Sequence, residues 1–180
     1  MMKKRFTCIT LFDVESLNKI KKMLSELGKY DLCKVPYLKE PYKLDNREEA
    51  DTLPYHFTLS YWDEKDKEEA IKCFNSINMK KISILVEDVK IKEGNDNSYN
   101  MYFSFTPNND LREIQTQIYN MTRNEKFNPS TYTPHISIHT DKDYNKIIEM
   151  KNIIMENFEP FTISFDKLGL FEIYPAKKVL

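Results

Sequence analysis

Apolar positions along the chain switch between a period of two and a helical period, and the switches come in the same order twice. Phe6 to Phe12 is rich in β-branched and aromatic residues and predicts a strand. Leu17, Ile20, Met23, Leu24 and Leu27 follow at helical spacing, with Gly28 as the stop. Lys29 to Leu53 holds Pro36 and Pro41 and no firm period, so it reads as a long irregular connection. His56 to Trp62 predicts a strand, and Asp63 to Ile77 a helix with Ala70, Ile71, Phe74 and Ile77 inward. Ile82 to Lys92 predicts one long strand or two short ones, closed by a turn over Glu93 to Ser98.

The order then repeats. Asn100 to Thr106 predicts a strand, and Asn109-Asp110 caps a helix carrying Leu111, Ile114, Ile118 and Met121. A second irregular connection, Thr122 to Pro134, leads to a strand at His135 to Thr140. Asp141 opens a helix that Pro160 stops, and Phe161 to Phe165 and Gly169 to Tyr174 close the chain as strands. Residues 1–180 therefore predict one α+β domain of two facing lobes with a cleft between them, the halves meeting near residue 97.

Composition narrows the chemistry. The 180 residues are 41% hydrophobic and 13% aromatic, enough for a packed core. With 3 Gly and no G-x-G-x-x-G or G-x-x-x-x-G-K-[ST] stretch, Gly-rich phosphate loops are ruled out. Balanced charge, 27 Lys+Arg against 28 Asp+Glu, argues against coating long nucleic acid and for contact at one phosphate. Three Cys without a C-x-x-C argue against a disulfide framework or structural zinc. Neither a membrane-spanning run nor a signal peptide is found, so a cytoplasmic protein is expected, and a monomer.

Two of the 3 His stand in one context: His56-Phe57-Thr58-Leu59 and His135-Ile136-Ser137-Ile138. On a strand, residues i and i+2 share a face about 6.5–7 Å apart. His56 therefore sits with Thr58, and His135 with Ser137, while the apolar residues point into the core. By composition a given His enters this pattern only ~2% of the time, so two in equivalent places are hard to assign to packing alone. Phosphodiester cleavage needs a base for the attacking oxygen and an acid for the leaving oxygen, and imidazole serves as either near neutrality. A hydroxyl two residues on is placed to hold a nonbridging oxygen. No cofactor and no metal are called for.

The segments Pro54-Tyr55-His56-Phe57-Thr58-Leu59 and Tyr132-Thr133-Pro134-His135-Ile136-Ser137-Ile138, with Leu168-Gly169-Leu170-Phe171-Glu172-Ile173 near the end, resemble the 2H phosphoesterase superfamily, which includes 2′-5′ RNA ligase-like proteins and cyclic phosphodiesterases. The resemblance implies a bilobal fold, pseudo-symmetric lobes of antiparallel sheet with helices outside, and a central cleft. It implies His56, Thr58, His135 and Ser137 as the active residues, with His135 activating the nucleophile and His56 as the acid. The implied substrates are 2′,3′-cyclic nucleotides, RNA 2′,3′-cyclic phosphate ends or 2′-5′ linkages. An Arg that many ligase-like members carry shortly before the second motif is missing; the nearest is Arg123.

Tyr55, Tyr61, Tyr132 and Tyr174 flank the motifs or the last strand and are candidate substrate contacts. His139, four residues after His135, shares its face on an unbroken strand and is expected at the cleft or on the surface; about 13 Å separates the two, too far for one ion. Lys177 and Lys178 read as a solvated tail. Two rival readings remain: a non-catalytic module binding a phosphorylated nucleotide or RNA end, and a metallohydrolase built on the three His.

Overall fold

A computed structural model describes residues 5–30, 32, 53–94, 97–173 and 177–180. Alternating and helical segments become β1 (Arg5–Phe12), α1 (Val14–Met23), β2 (Thr58–Asp63), α2 (Lys67–Ser76), β3 (Ile82–Glu93), β4 (Tyr99–Phe105), α3 (Asn109–Thr122), β5 (His135–Asp141), α4 (Tyr144–Glu156), β6 (Phe161–Ile173) and β7 (Lys177–Lys178). The fold is α+β, as the periods predict.

Side-chain caps set several helix starts. Asp13 accepts from the Ser16 amide at 2.8 Å, Asn108 from Leu111 at 3.0 Å and Asp143 from Lys146 at 3.2 Å. The second-half helices thus begin beside, not at, the expected residues: Asn108 replaces Asn109-Asp110 as cap, and Asp141 belongs to β5. Helix α1 ends at Met23, and a short 3₁₀ turn over Ser25–Leu27 carries the chain to Gly28, which keeps a right-handed backbone rather than the left-handed one expected of a stop. The two closing strands are one, β6, continuous through Asp166. Lys177 and Lys178 pair with Glu172 and Phe171 as β7 instead of forming a tail. The predicted connection from Lys29 to Leu53 lies almost wholly outside the described residues, as do Cys33 and Tyr174.

All pairings are antiparallel, and the strand order is β2-β1-β6-β3-β4-β5, with β7 on β6. Exchanging β1 with β4, β2 with β5 and β3 with β6 turns this order into itself read backwards. A pseudo-twofold axis therefore passes between β6 and β3. Each half gives its last strand to the other: β3 pairs with β4, and β6 with β1. The helices cross over too. α3 packs on β2 and α2, while α1 packs on β6 and its trailing 3₁₀ turn meets α4, which covers β3, β4 and β5.

Register irregularities repeat under the same operation. Opposite Cys8/Ile9, β2 steps from Ser60 to Thr58; opposite Met101/Tyr102, β5 steps from His139 to Ser137. Opposite Leu11/Phe12, β6 steps from Lys167 to Phe165; opposite Ser104/Phe105, β3 steps from Asp88 to Val86. Each is a bulge with one extra residue, and each has its partner in the other half.

One face of the sheet is apolar and meets the helices, through Phe6, Cys8, Phe12, Leu59, Met101, Phe103, Phe105, Ile136 and Ile138. At its centre the Phe57 ring lies 5.8 Å from Phe12, 5.1 Å from Phe105 and 5.5 Å from Phe165. It is fully buried and next in sequence to His56, so the first motif is anchored on residues from both halves. Phe57→Ala should cost about 3–5 kcal/mol of unfolding free energy in a denaturant titration; a loss under about 1 kcal/mol would show that the ring is not the anchor described.

Candidate active site

Register defines the polar face opposite the helices as two related grids. In one lobe the rows across β3, β4 and β5 are Asp88–Ser104–His135, Lys90–Tyr102–Ser137 and Lys92–Asn100–Thr140. In the other, β6, β1 and β2 carry Lys167 with Leu11, Gly169 with Ile9 and Thr58, and Phe171 with Thr7 and Tyr61. His56 precedes β2 and sits where His135 sits in its own grid. The ladder reaches it through Phe57, whose carbonyl accepts from the Thr10 amide at 3.2 Å. His and hydroxyl occupy twofold-related positions in the two grids, while the surrounding positions differ.

Both imidazoles are held the same way. His56 Nδ1 lies 2.7 Å from the Pro54 carbonyl, and His135 Nδ1 lies 3.3 Å from the Thr133 carbonyl. A carbonyl only accepts, so Nδ1 carries the proton in each ring and the lone pair of the neutral form is on Nε2. Both bonds run to the residue two before the His, which makes them a property of the motif's backbone. Tyr102 packs on His135 with ring centroids 4.9 Å apart, and Asn100 Nδ2 donates to Ser137 Oγ at 3.3 Å. These two contacts run along parallel diagonals of the grid, and the next step of the first, beyond Tyr102, is Lys92. Burial holds the His135 imidazole below the ordinary imidazole range; the Thr133 bond pulls it back up, and the Lys92 charge adds to the lowering. Burial, then the Asp88 charge, raises the Tyr102 phenol and keeps it a donor.

Strands β2 and β5 are opposite edges of the sheet, about 24 Å apart if it were flat (five spacings of about 4.8 Å). Yet Tyr132 Oη donates to the Thr58 carbonyl at 2.7 Å. His135 is three residues further on, a reach of about 10 Å. The connection from α3 to β5 makes this possible, because α3 packs beside β2 in the other lobe. Asn124 Nδ2 donates to the Tyr61 carbonyl at 3.1 Å, and Phe127 packs edge-to-face with Tyr61 at 5.0 Å and Tyr132 at 4.8 Å. The two motif strands are thus tied by one bridge.

The tyrosines expected at a base divide accordingly. Tyr132 and Tyr61 build the bridge, and burial raises the Tyr132 phenol far above its ordinary value. Tyr55 packs against the core. His139 is 2% exposed, neither cleft-lining nor on the surface. The bulge sets Ile138 and His139 together opposite Met101, which turns His139 to the apolar face, 3.5 Å from the Asp141 carboxylate. Asn100, Tyr102, Lys90 and Lys92 were not singled out from the sequence, though the alternation of Asn100, Tyr102 and Ser104 with Met101, Phe103 and Phe105 marks them as one face. Among the described residues no three His, Cys, Asp or Glu are grouped as ligands for a metal ion, and no helix is long and apolar enough to cross a membrane.

No protein-family profile and no curated protein matches the sequence. Solved structures share the fold. Escherichia coli LigT in its apo form aligns over 100% of this chain and 96% of its own with a TM-score of 0.60 at 9% identity. LigT complexed with 3′-AMP aligns over the same shares with a TM-score of 0.57 at 8% identity. Kluyveromyces marxianus Usb1 with uridine monophosphate aligns over 98% of this chain and 97% of its own, with a TM-score of 0.51 at 11% identity. At these identities the likeness establishes the architecture. Tyr132→Phe keeps the edge-to-face ring packing and removes the donor to Thr58, so it should cost about 1–3 kcal/mol in thermal or chemical unfolding; an unchanged midpoint would deny the bridge its role.

Proposed function

We propose that this chain is a 2H phosphoesterase: a metal-independent phosphodiesterase that opens 2′,3′-cyclic phosphates on nucleotides or RNA ends, or cleaves 2′-5′ linkages. The observation that carries the proposal is the duplicated pair of imidazole and hydroxyl at twofold-related positions, each ring held through Nδ1 by the carbonyl two residues before it. A structural account of either His leaves the repeat in the other half unexplained. Support comes also from the solved proteins of this fold, since LigT has been captured with 3′-AMP and Usb1 with uridine monophosphate.

The environments divide the labour. Burial and Lys92 both disfavour the cationic form of His135, so near neutrality it is neutral with its lone pair on Nε2. It takes a proton from water as the oxygen attacks phosphorus. His56, in its cationic form, then gives a proton to the departing ribose oxygen, and one P–O bond has formed as another breaks. Thr58 and Ser137 hold the nonbridging oxygens; Ser137 keeps its own proton for this because Asn100 donates to its oxygen. As charge builds on those oxygens the hydroxyl hydrogen bonds strengthen.

Hydrolysis of 2′,3′-cyclic nucleotides tests the scheme. His56→Ala and His135→Ala should each lower kcat by about a hundredfold to ten-thousandfold with unfolding midpoints little changed, and turnover should persist after exhaustive chelation. A fully active single variant would retire the proposal, and a protein that binds and releases the nucleotide unchanged would be a binding module. The pH profile of kcat/KM should be bell-shaped. Because the cation of His135 is disfavoured, the base form survives to lower pH, and the ascending limb should fall below the ordinary imidazole value of 6.5. A limb above that value would assign the base elsewhere.

A further inference from the structure

The two grids agree at the His and hydroxyl positions and disagree beside them. The twofold operation relates Lys90 to Gly169 and Lys92 to Phe171. At those two positions the β6 side is apolar, while Lys167 stands where Asp88 stands on the β3 side. The Phe171 ring lies over Gly169, where an added Cβ would stand 2.5 Å from Cε2, and Leu11 Cδ1 closes the space at 3.4 Å. On the β3 side two exposed lysines, two residues apart, project from the same face as His135 and Ser137. Neither forms an ion pair among the described residues. Two adjacent lysines against glycine and phenylalanine at the related positions are a local feature of the β3 side, where Asp88 replaces the Lys167 of β6.

Position separates this cationic pair from the phosphate between the histidines. Strand β3 is two spacings from β5, about 9–10 Å. Tyr102 occupies the interval, its ring packed at a tilt against His135 on one side and its backbone paired in register with Lys90 on the other. Asp88 stands at the end of the β3 row nearest the level of His135, with its carboxylate accepting from the Val89 amide at 2.7 Å, so an anion on this wall is favoured toward Lys92. An anion held there lies beyond Tyr102 from the reacting phosphorus. Successive phosphates of a nucleotide chain, separated by one sugar, meet that requirement.

We infer that Lys90 and Lys92 form a subsite for a second phosphate, on the 5′ side of the nucleotide whose cyclic phosphate is opened, so that the preferred substrate is a 5′-phosphorylated nucleotide or an RNA end rather than a bare cyclic mononucleotide. The inference rests on the phosphodiesterase reading for the first phosphate. Ammonium groups pair with phosphate as point charges without fixed geometry, which suits a subsite that orients rather than reacts. Thr162 and Ser164 on the neighbouring β6 segment leave this wall polar where it continues past Leu85 and Ser83.

The test compares adenosine 2′,3′-cyclic phosphate with the same compound carrying a 5′-phosphate. The natural chain should favour the second by about tenfold in kcat/KM, and in the Lys90→Gln/Lys92→Gln double variant the ratio should fall to about one. Equal rates in the natural chain, or a preference that survives the double substitution, would overturn the inference. If neither compound is turned over, the phosphodiesterase reading fails by itself, and calorimetry with adenosine 3′,5′-bisphosphate and 3′-AMP decides the subsite. Tighter binding of the bisphosphate by about tenfold, lost in the double variant, supports it; equal affinities in the natural chain refute it.

Discussion

The last strand of each half hydrogen-bonds to the first strand of the other, and the site follows from that exchange. β3 lies beside β4 and β6 beside β1, so the halves share one sheet and neither can close its core alone. The exchange also sends α3 across to pack by β2, and the return of the chain from α3 to β5 lays Tyr132 against Thr58. Two motifs 79 positions apart in number, at opposite edges of the sheet order, are joined for this reason. Phe57 completes the coupling from the apolar face, since its ring touches Phe12 from one half and Phe105 and Phe165 from the other.

On this symmetric frame the chemistry is asymmetric. Twofold-related backbone gives both imidazoles the same tautomer, because the carbonyl two residues back accepts from Nδ1 in each. What distinguishes them is what surrounds them. His135 has Tyr102 on its ring and Lys92 along the same diagonal, while the corresponding positions near His56 are Ile9 and Phe171. Burial and the Lys92 charge thereby disfavour the cation of His135. The same differences put Lys90 and Lys92 on one wall where the other has Gly169 and Phe171.

Much of this was legible in the order of residues. Strand and helix periods give the element order, and the doubled His-apolar-Ser/Thr-apolar pattern marks both the repeat and the residues at its centre. The exchange of β3 and β6 was not legible, because strands of either half are equally apolar on the core face and pattern does not name the partner strand. His139 shows the other limit. Counting by twos from His135 places it on the face of His135 and Ser137, but the extra residue at the bulge turns it inward beside Asp141. Nothing local in Ser137-Ile138-His139 announces a bulge; its counterpart at Thr58-Leu59-Ser60 is visible only once the halves are superposed. The second-half helix starts differ by one or two residues from those expected because several Asn and Asp side chains near each start compete to cap it, while the helix expected from Asp63 opens as a 3₁₀ turn over Glu64–Asp66.

In the proposed function, two imidazoles from different halves grip one phosphate. Nitrogen NMR of the histidine rings during titration with 3′-AMP tests it most directly. The Nε2 signals of His56 and His135 should move together along a single binding curve, with Nδ1 remaining protonated in both and His139 unaffected. Movement of only one of the two rings, or of both with different affinities, would contradict the shared site.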